Sequence, residues 1–455
     1  MKKTMLVSAM ALIFTPQIGF GGSELELLRQ EMLDMKKEYE QRLKVLEERL
    51  VKAETSVSGA KNTALQIKQQ VKQKSRSDNT FNPAISVVLD GRYGDFKNNP
   101  EDYELPGFSL GNEAGLGEQG FAIGHTEVTA SANVDDKFFG QVSAAIHEHE
   151  GETEVDLEEA YIQTLGLDNG LSVKAGRFLS AIGYLNQQHE HVWDFADAPL
   201  IYRGLFGNQL RDDGVQISFL APTENFLEVG AEMLKGSRFP AGGEHSGIGA
   251  WSMFANIGGD IGLEHSWQAG VSHWRSDVEE RSGEAHSHGH EATEIPSFSG
   301  DSKINSVYLV YKWAPQGNYK NKNLKLQFEY FDRREDGDIQ MLEDDIAIEE
   351  TSYDGHQKGW YAQAIYQFMP SWRAGLRYDW LDSNSKGSDK DILAEAGLDN
   401  EGIKPKRYSA MIEWLPSEFS RVRLQFNRDK SYQDADNQIF LQYTHSFGSH
   451  AAHKF

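Results

Sequence analysis

From residue 84 onward, apolar and polar residues alternate along short runs, and the linkers between runs alternate as well, short then long. The first rhythm has the period of a strand with two unlike faces. Val307, Leu309, Tyr311 and Trp313 oppose Ser306, Tyr308 and Lys312. Trp372, Ala374, Leu376, Tyr378 and Trp380 oppose Arg373, Arg377 and Asp379. The second rhythm constrains the fold more. A soluble sandwich has no reason for it, whereas a membrane-spanning barrel has short turns at one rim and long loops at the other. Short linkers centre on Asp135, Asp168, Pro222, Gly258–Gly259, Pro315, Pro370 and Pro416. Long ones fall near 97–118, 181–208, 237–247, 276–302, 334–355 and 384–405. These spacings predict an all-β antiparallel transmembrane β-barrel over 84–455, of about sixteen strands. An even count returns both ends of the barrel to the rim with the short turns.

Composition narrows the alternatives. Mean hydropathy is -0.56, and after the N-terminus no stretch approaches the roughly 20 apolar residues of a spanning helix. Barrels escape that test because only every second residue faces lipid. The net charge of -24 argues against a nucleic-acid partner, which needs a basic face, and suits attraction of cations. The chain has no cysteine, which fits an oxidising compartment managed without disulfides.

Two segments precede the barrel. Residues 1–22 have the form of a secretory signal peptide: Lys2 and Lys3, a short apolar stretch over 5–14, Pro16, then Gly19, Gly21 and Gly22. Residues 23–76 form an expected α-helical coiled coil, placed in the periplasm, with 77–83 as linker. Apolar or small residues recur at Leu25, Leu28, Met32, Met35 and Tyr39, then from Leu43 to Val71, in steps of 3 and 4 with one stutter. Such a seam predicts self-association through 24–71, and a trimer would match the habit of porins.

Histidines are the candidate functional residues. His147 and His149 form one HxH pair, His189 and His191 another, and His286, His288 and His290 an HxHxH tract. Imidazole is the commonest side-chain ligand for zinc and suits copper and nickel. His189 and His191 open the third long loop, which also carries Trp193, Asp194, Asp197, Tyr202 and Arg203. A loop this aromatic packs against something. In sixteen-stranded porins the third outer loop commonly folds into the lumen, and that resemblance implies a constriction lined by Asp194, Asp197 and Arg203 and faced by Arg373 and Arg377. Carboxylates crowd 334–355, and at a pore mouth they would concentrate cations. No GxSxG, HExxH, P-loop or cysteine pair is present, and no enzyme is expected.

The stretches LSVKAGRF (171–178), HEHVWDFADAPLIYRGLFG (189–207), RDDGVQISFLAPTENFLEVGAEMLKG (211–236) and HAAHKF (450–455) resemble outer-membrane receptors labelled zinc-regulated or TonB-dependent. The whole arrangement resembles Gram-negative porins of the phosphate-selective porin-like superfamily. An aromatic final strand ending near Phe447 resembles the signal read by the barrel-assembly machinery. The resemblance implies an outer-membrane location, lipid contact, and uptake of a small cationic solute, zinc above all. Transport would be passive or facilitated, because the chain has no plug domain to couple to an energised system. No cofactor is required, and Zn2+ would be cargo. Two other readings stay open: a general or anion-selective porin with incidental histidines, and a structural outer-membrane tether.

Overall fold

The computed structural model describes residues 83–448, apart from 112–113, 150–151, 284–293, 345 and 433, together with Lys37. The signal segment, the coiled coil with its expected self-association, the tract His286, His288 and His290, and the tail 450–455 lie outside the described residues.

The strands are β1 (Ala84–Phe96), β2 (Gly120–Ile123), β3 (Thr126–Asn133), β4 (Phe138–His149), β5 (Glu152–Thr164), β6 (Leu171–Leu179), β7 (Arg211–Leu220), β8 (Phe226–Leu234) and β9 (Ala250–Ile261). They continue as β10 (His265–Ser282), β11 (Ile295–Trp313), β12 (Asn323–Glu343), β13 (Ile346–Met369), β14 (Trp372–Lys386), β15 (Lys406–Ser417), β16 (Ser420–Asp429) and β17 (Asp436–Gly448). All neighbours are antiparallel, and β17 pairs with β1 from Ser86↔Gly448 to Phe96↔Gln438. That pairing closes the sheet and leaves no edge, as a bilayer requires of strands. β2 and β3 both pair with β1, at its upper and lower halves. They are two arms of one interrupted strand, so the barrel is sixteen-stranded.

Burial is inverted relative to a soluble protein. Leu376 is 66% exposed while the adjacent Arg377 is 4% exposed. The same alternation sets Leu309 outward and Tyr308 and Val310 inward. The apolar face therefore looks out at lipid and the polar face looks into the lumen. Aromatics gather on the outer face in two tiers. Trp360, Tyr378 and Tyr408 run along one, with ring separations of 5.2 and 4.9 Å. Trp372 and Trp414 stack at 6.2 Å in the other, beside the short turns.

Three expected boundaries were wrong. Gly258 and Gly259 do not turn; they pair with Gln268 and Trp267, and the chain reverses after Ile261. A Cβ at Gly258 would meet the Trp267 carbonyl at 2.8 Å, so the glycine answers a close backbone approach. Nor is 334–355 a loop. β12 and β13 stay paired through Glu343↔Ile346. The 21 residues of β12 span about 70 Å at roughly 3.3 Å each, well beyond an apolar belt of about 25 Å even when tilted. Above the membrane the outer face is wet and charged while the inner face buries Ile339, Met341 and Tyr353, so the lipid-type alternation is inverted there. The linker 276–302 shortens for the same reason, β10 and β11 extending to Ser282 and from Ile295.

Candidate functional site

Residues 180–210 turn inward from the end of β6 and fill part of the lumen. The segment contains α1 (Leu200–Phe206). Its first N–H, from Leu200, is bound by the Asp379 carboxylate of β14 at 3.0 Å. Its end is closed by Gly207 at φ 58°, with Gly207 N donating to the Arg203 carbonyl and Asn208 N to that of Tyr202, a left-handed cap that glycine adopts at little cost. Ile182, Leu185, Leu200, Ile201, Leu205 and Phe206 form an apolar core with Tyr103, Phe108 and Leu116 of the first loop and with Phe331, Tyr361 and Leu381 of the wall. Hydrophobic burial inside a lumen is what holds an otherwise irregular segment there.

Polar anchors fix its register. Glu329 of β12 accepts from the backbone N–H groups of Tyr184 and Leu185 at 2.8 and 3.0 Å, and from the hydroxyls of Tyr202 and Tyr361. Asp197 lies 2.6 Å from Arg377 and 2.9 Å from Arg407. Asp194 lies 2.9 Å from Lys325 and 3.4 Å from Arg373, which also pairs with Glu413. Arg203 donates to the carbonyls of Ala114 and Gly115 and sits 3.8 Å from Asp197. Burial would raise both aspartate pKa values, but the facing cations hold them below the usual carboxylate range. The five lumen candidates of the sequence are thus mutually paired, as loop anchors.

The histidine pair meets a different wall. His189 precedes and His191 lies within a single 3-10 turn (Glu190–Val192), and their rings stack at 5.7 Å. His191 Nδ1 lies 2.9 Å from Glu127 Oε2. His189 Nδ1 lies 3.2 Å from Glu127 Oε2 and 3.5 Å from Glu158 Oε2, while its Nε2 lies 3.0 Å from Glu159 Oε2. His125 Nε2 sits 3.2 Å from Glu158 Oε1. Burial alone would lower the His189 pKa, but contact with Glu127, Glu158 and Glu159 outweighs it and holds the ring well above the ordinary histidine value.

Local irregularities create this cluster. β5 carries a bulge: Ser143 pairs with Glu159 and Ala144 with Leu157, leaving Glu158 as the extra residue. A bulge spoils the alternation, so two consecutive carboxylates both face inward, 1% and 5% exposed. His125 sits in the break between β2 and β3. There Gly124 N donates to the Asp90 carbonyl at 2.9 Å, and a Cβ at Gly124 would lie 2.1 Å from Asp90 Oδ2.

His125, Glu127, Glu158 and Glu159 were missed by the sequence reading. The signal was present in the Glu158–Glu159 doublet, which interrupts an otherwise alternating strand. His147 lies apart from the cluster, 3.4 Å from Glu154, and His149 ends β4, its side chain outside those described. Below the inward loop opens a cavity of about 700 Å³, whose lining includes His191, Asp194, Lys312, Lys325, Arg373 and Arg421.

No family model matches the chain, so the resemblance to zinc-regulated receptors gains nothing from that comparison. A protein of Aquifex aeolicus, described only as uncharacterized, is 30% identical over 412 residues, covering 83% of this chain and 81% of that one. The two belong to one family. Among solved structures this chain is similar to a loop-deleted OmpT of Vibrio cholerae (TM-score 0.49, 10% identity, 80% of this chain, 99% of that one). It is also similar to the channel DcaP of Acinetobacter baumannii (0.47, 14%, 80% and 96%) and to an anion-selective porin of Comamonas acidovorans (0.43, 11%, 80% and 99%). The closed sheet, apolar outer face and polar lumen by themselves make this chain an outer-membrane-type β-barrel.

Proposed function

We propose that the protein is a passive outer-membrane porin whose constriction favours small cations, with divalent metal such as zinc as the substrate class. One observation carries this reading. Where the inward loop meets the wall of β3 and β5, His189 and His191 stand against Glu127, Glu158 and Glu159. Carboxylates in a narrow low-dielectric passage raise local cation concentration and repel anions. Arg373 and Arg377 are paired with Glu413, Asp194, Asp197 and Asp379. Self-association through the seam 24–71 and insertion by the barrel-assembly machinery belong to the same proposal.

An anion-selective pore is the second reading, favoured by Lys312, Lys325, Arg373 and Arg421 around the cavity below the loop. Liposomes carrying the full-length protein and an internal zinc-sensitive dye separate the two. The cation reading expects zinc entry well above that of empty liposomes, slowed in His189→Ala/His191→Ala. Zinc entry no faster than in empty liposomes, with rapid phosphate efflux, would favour the second.

A further inference from the structure

The junction between the inward loop and the wall has the geometry of a built metal site. Donor atoms of His125, Glu127 and Glu158 converge, and His189 Nδ1 stands beside Glu127 Oε2 and Glu158 Oε2. The donor atoms of His125, Glu127 and Glu158 all lie within 4.8 Å of one another. Closer separations are 3.2 Å for His125 to Glu158, 3.2 Å for His189 to Glu127 and 3.5 Å for His189 to Glu158. Ligands held at about 2.0 Å around a tetrahedral ion stand about 3.3 Å apart. Direct hydrogen bonds would also tolerate such lengths, but the angles do not. His125 Nε2, His189 Nδ1 and Glu158 Oε2 are buried and have no hydrogen-bond partner among the described residues. Glu158 is 1% exposed, and an unsatisfied polar atom at such depth is costly.

The surroundings supply what ligands to a metal require. The far nitrogen of His189, Nε2, faces Glu159 at 3.0 Å, and the far nitrogen of His125, Nδ1, faces Glu190 at 3.8 Å. A carboxylate behind each imidazole fixes its tautomer and raises its basicity. Glu127 Oε2 is steadied by His191 at 2.9 Å. Glu158 Oε1 takes a bond from Arg211 at 3.3 Å and faces His125, while Oε2 faces His189.

We propose that His125, Glu127, Glu158 and His189 bind one divalent transition-metal ion of the zinc class, and that this ion staples the inward loop to β3 and β5. Two imidazoles with two carboxylates suit zinc over magnesium or calcium, which take oxygen shells. The ligands come from four places in the chain: the break after β2, β3, β5 and the loop. Binding therefore restrains the loop that sets the constriction. The ion is a fixture of the loop, separate from ions in transit, and its presence does not depend on what the pore passes.

The test uses full-length protein in detergent, in a His286→Ala/His288→Ala/His290→Ala background that removes binding by the outer tract. After chelation and dialysis, Zn2+ is titrated by calorimetry, and Co2+ is added separately as a spectroscopic probe. The expected result is one zinc per chain, visible cobalt bands of four-coordinate intensity, and affinity weakened more than about tenfold in both Glu158→Gln and His125→Gln. Heat-modifiable gel mobility identifies which variants retain the barrel, and Glu158→Gln keeps the side-chain shape should His125→Gln misfold. Zinc affinity unchanged in a folded Glu158→Gln barrel, or no binding at all, would overturn the proposal and leave a metal-independent ion-pair junction. An anion-selective pore that still binds zinc through these ligands would overturn the cation reading alone.

Discussion

Asp197 of the inward loop and Arg407 of β15, both fully enclosed, meet at 2.9 Å in the lumen. The Asp197 carboxylate also accepts from Arg377, Gln425 and Asn427, so one loop side chain gathers donors from three neighbouring strands. Removing it takes a carboxylate partner from two buried guanidinium groups, which then share Asp379. Breaking a buried pair in this way costs about 3–5 kcal/mol. Asp197→Ala should therefore release the loop while the barrel persists, since the wall has its own ladder. Single-channel recordings are expected to show larger and noisier conductance, with β-sheet circular dichroism unchanged. Conductance and noise equal to wild type would show that the apolar core alone holds the loop.

Glu329 does the same work at the start of the loop, accepting from two backbone N–H groups and two tyrosine hydroxyls. Glu329→Gln replaces one acceptor oxygen by a donor facing donors. The expected penalty is about 1–3 kcal/mol, smaller than that of Asp197→Ala. It should appear as a lower midpoint in thermal unfolding and as faster protease cleavage within 180–210.

Acid should not loosen the loop early. Asp197 faces Arg203 on its own segment, Arg377 and Asp379 on β14, Arg407 on β15, and Gln425 and Asn427 on β16. Burial raises its pKa, but Arg407, Arg377 and Arg203 pull it down further, below the ordinary range. A depressed folded pKa contributes stability that is present above the unfolded value of about 3.9 and is lost as pH falls through the folded value. The contribution of Asp197 is therefore constant from pH 7 to pH 5. The difference in unfolding midpoint between wild type and Asp197→Asn should be equal at those two pH values, and a difference that shrinks at pH 5 would contradict the assignment.

The bulge in β5 is a device that can be removed. Deleting Leu157 would restore simple pairing and turn Glu158 out of the lumen. The deletion should leave a sixteen-stranded barrel with normal heat-modifiable mobility. Its cation preference should be reduced, as read by reversal potential. A barrel that keeps full cation preference would remove the doublet from the account.

The barrel was legible because lipid enforces a strict rule: Leu376 outward and Arg377 inward repeat along every spanning strand. Where lipid stops, the rule stops, and 334–355 read as a loop although it is a paired hairpin. That 181–208 packs against something was legible from its aromatic content, its inward placement was expected from the resemblance to sixteen-stranded porins, and His189 and His191 were candidates by their spacing. Their partners were not. Glu127 is about 60 residues away in sequence, and Glu158 reaches the same point only through a bulge, which sequence alternation alone hides. His125 needed the strand break at Gly124 to face inward.

The most direct test of a cation-favouring constriction is the reversal potential of the reconstituted protein in a planar bilayer under a KCl gradient, compared with Glu127→Gln/Glu159→Gln. Cation selectivity in the wild type, moving toward neutrality in the variant, is the predicted result. Anion selectivity in the wild type, or selectivity indifferent to both substitutions, would contradict the account.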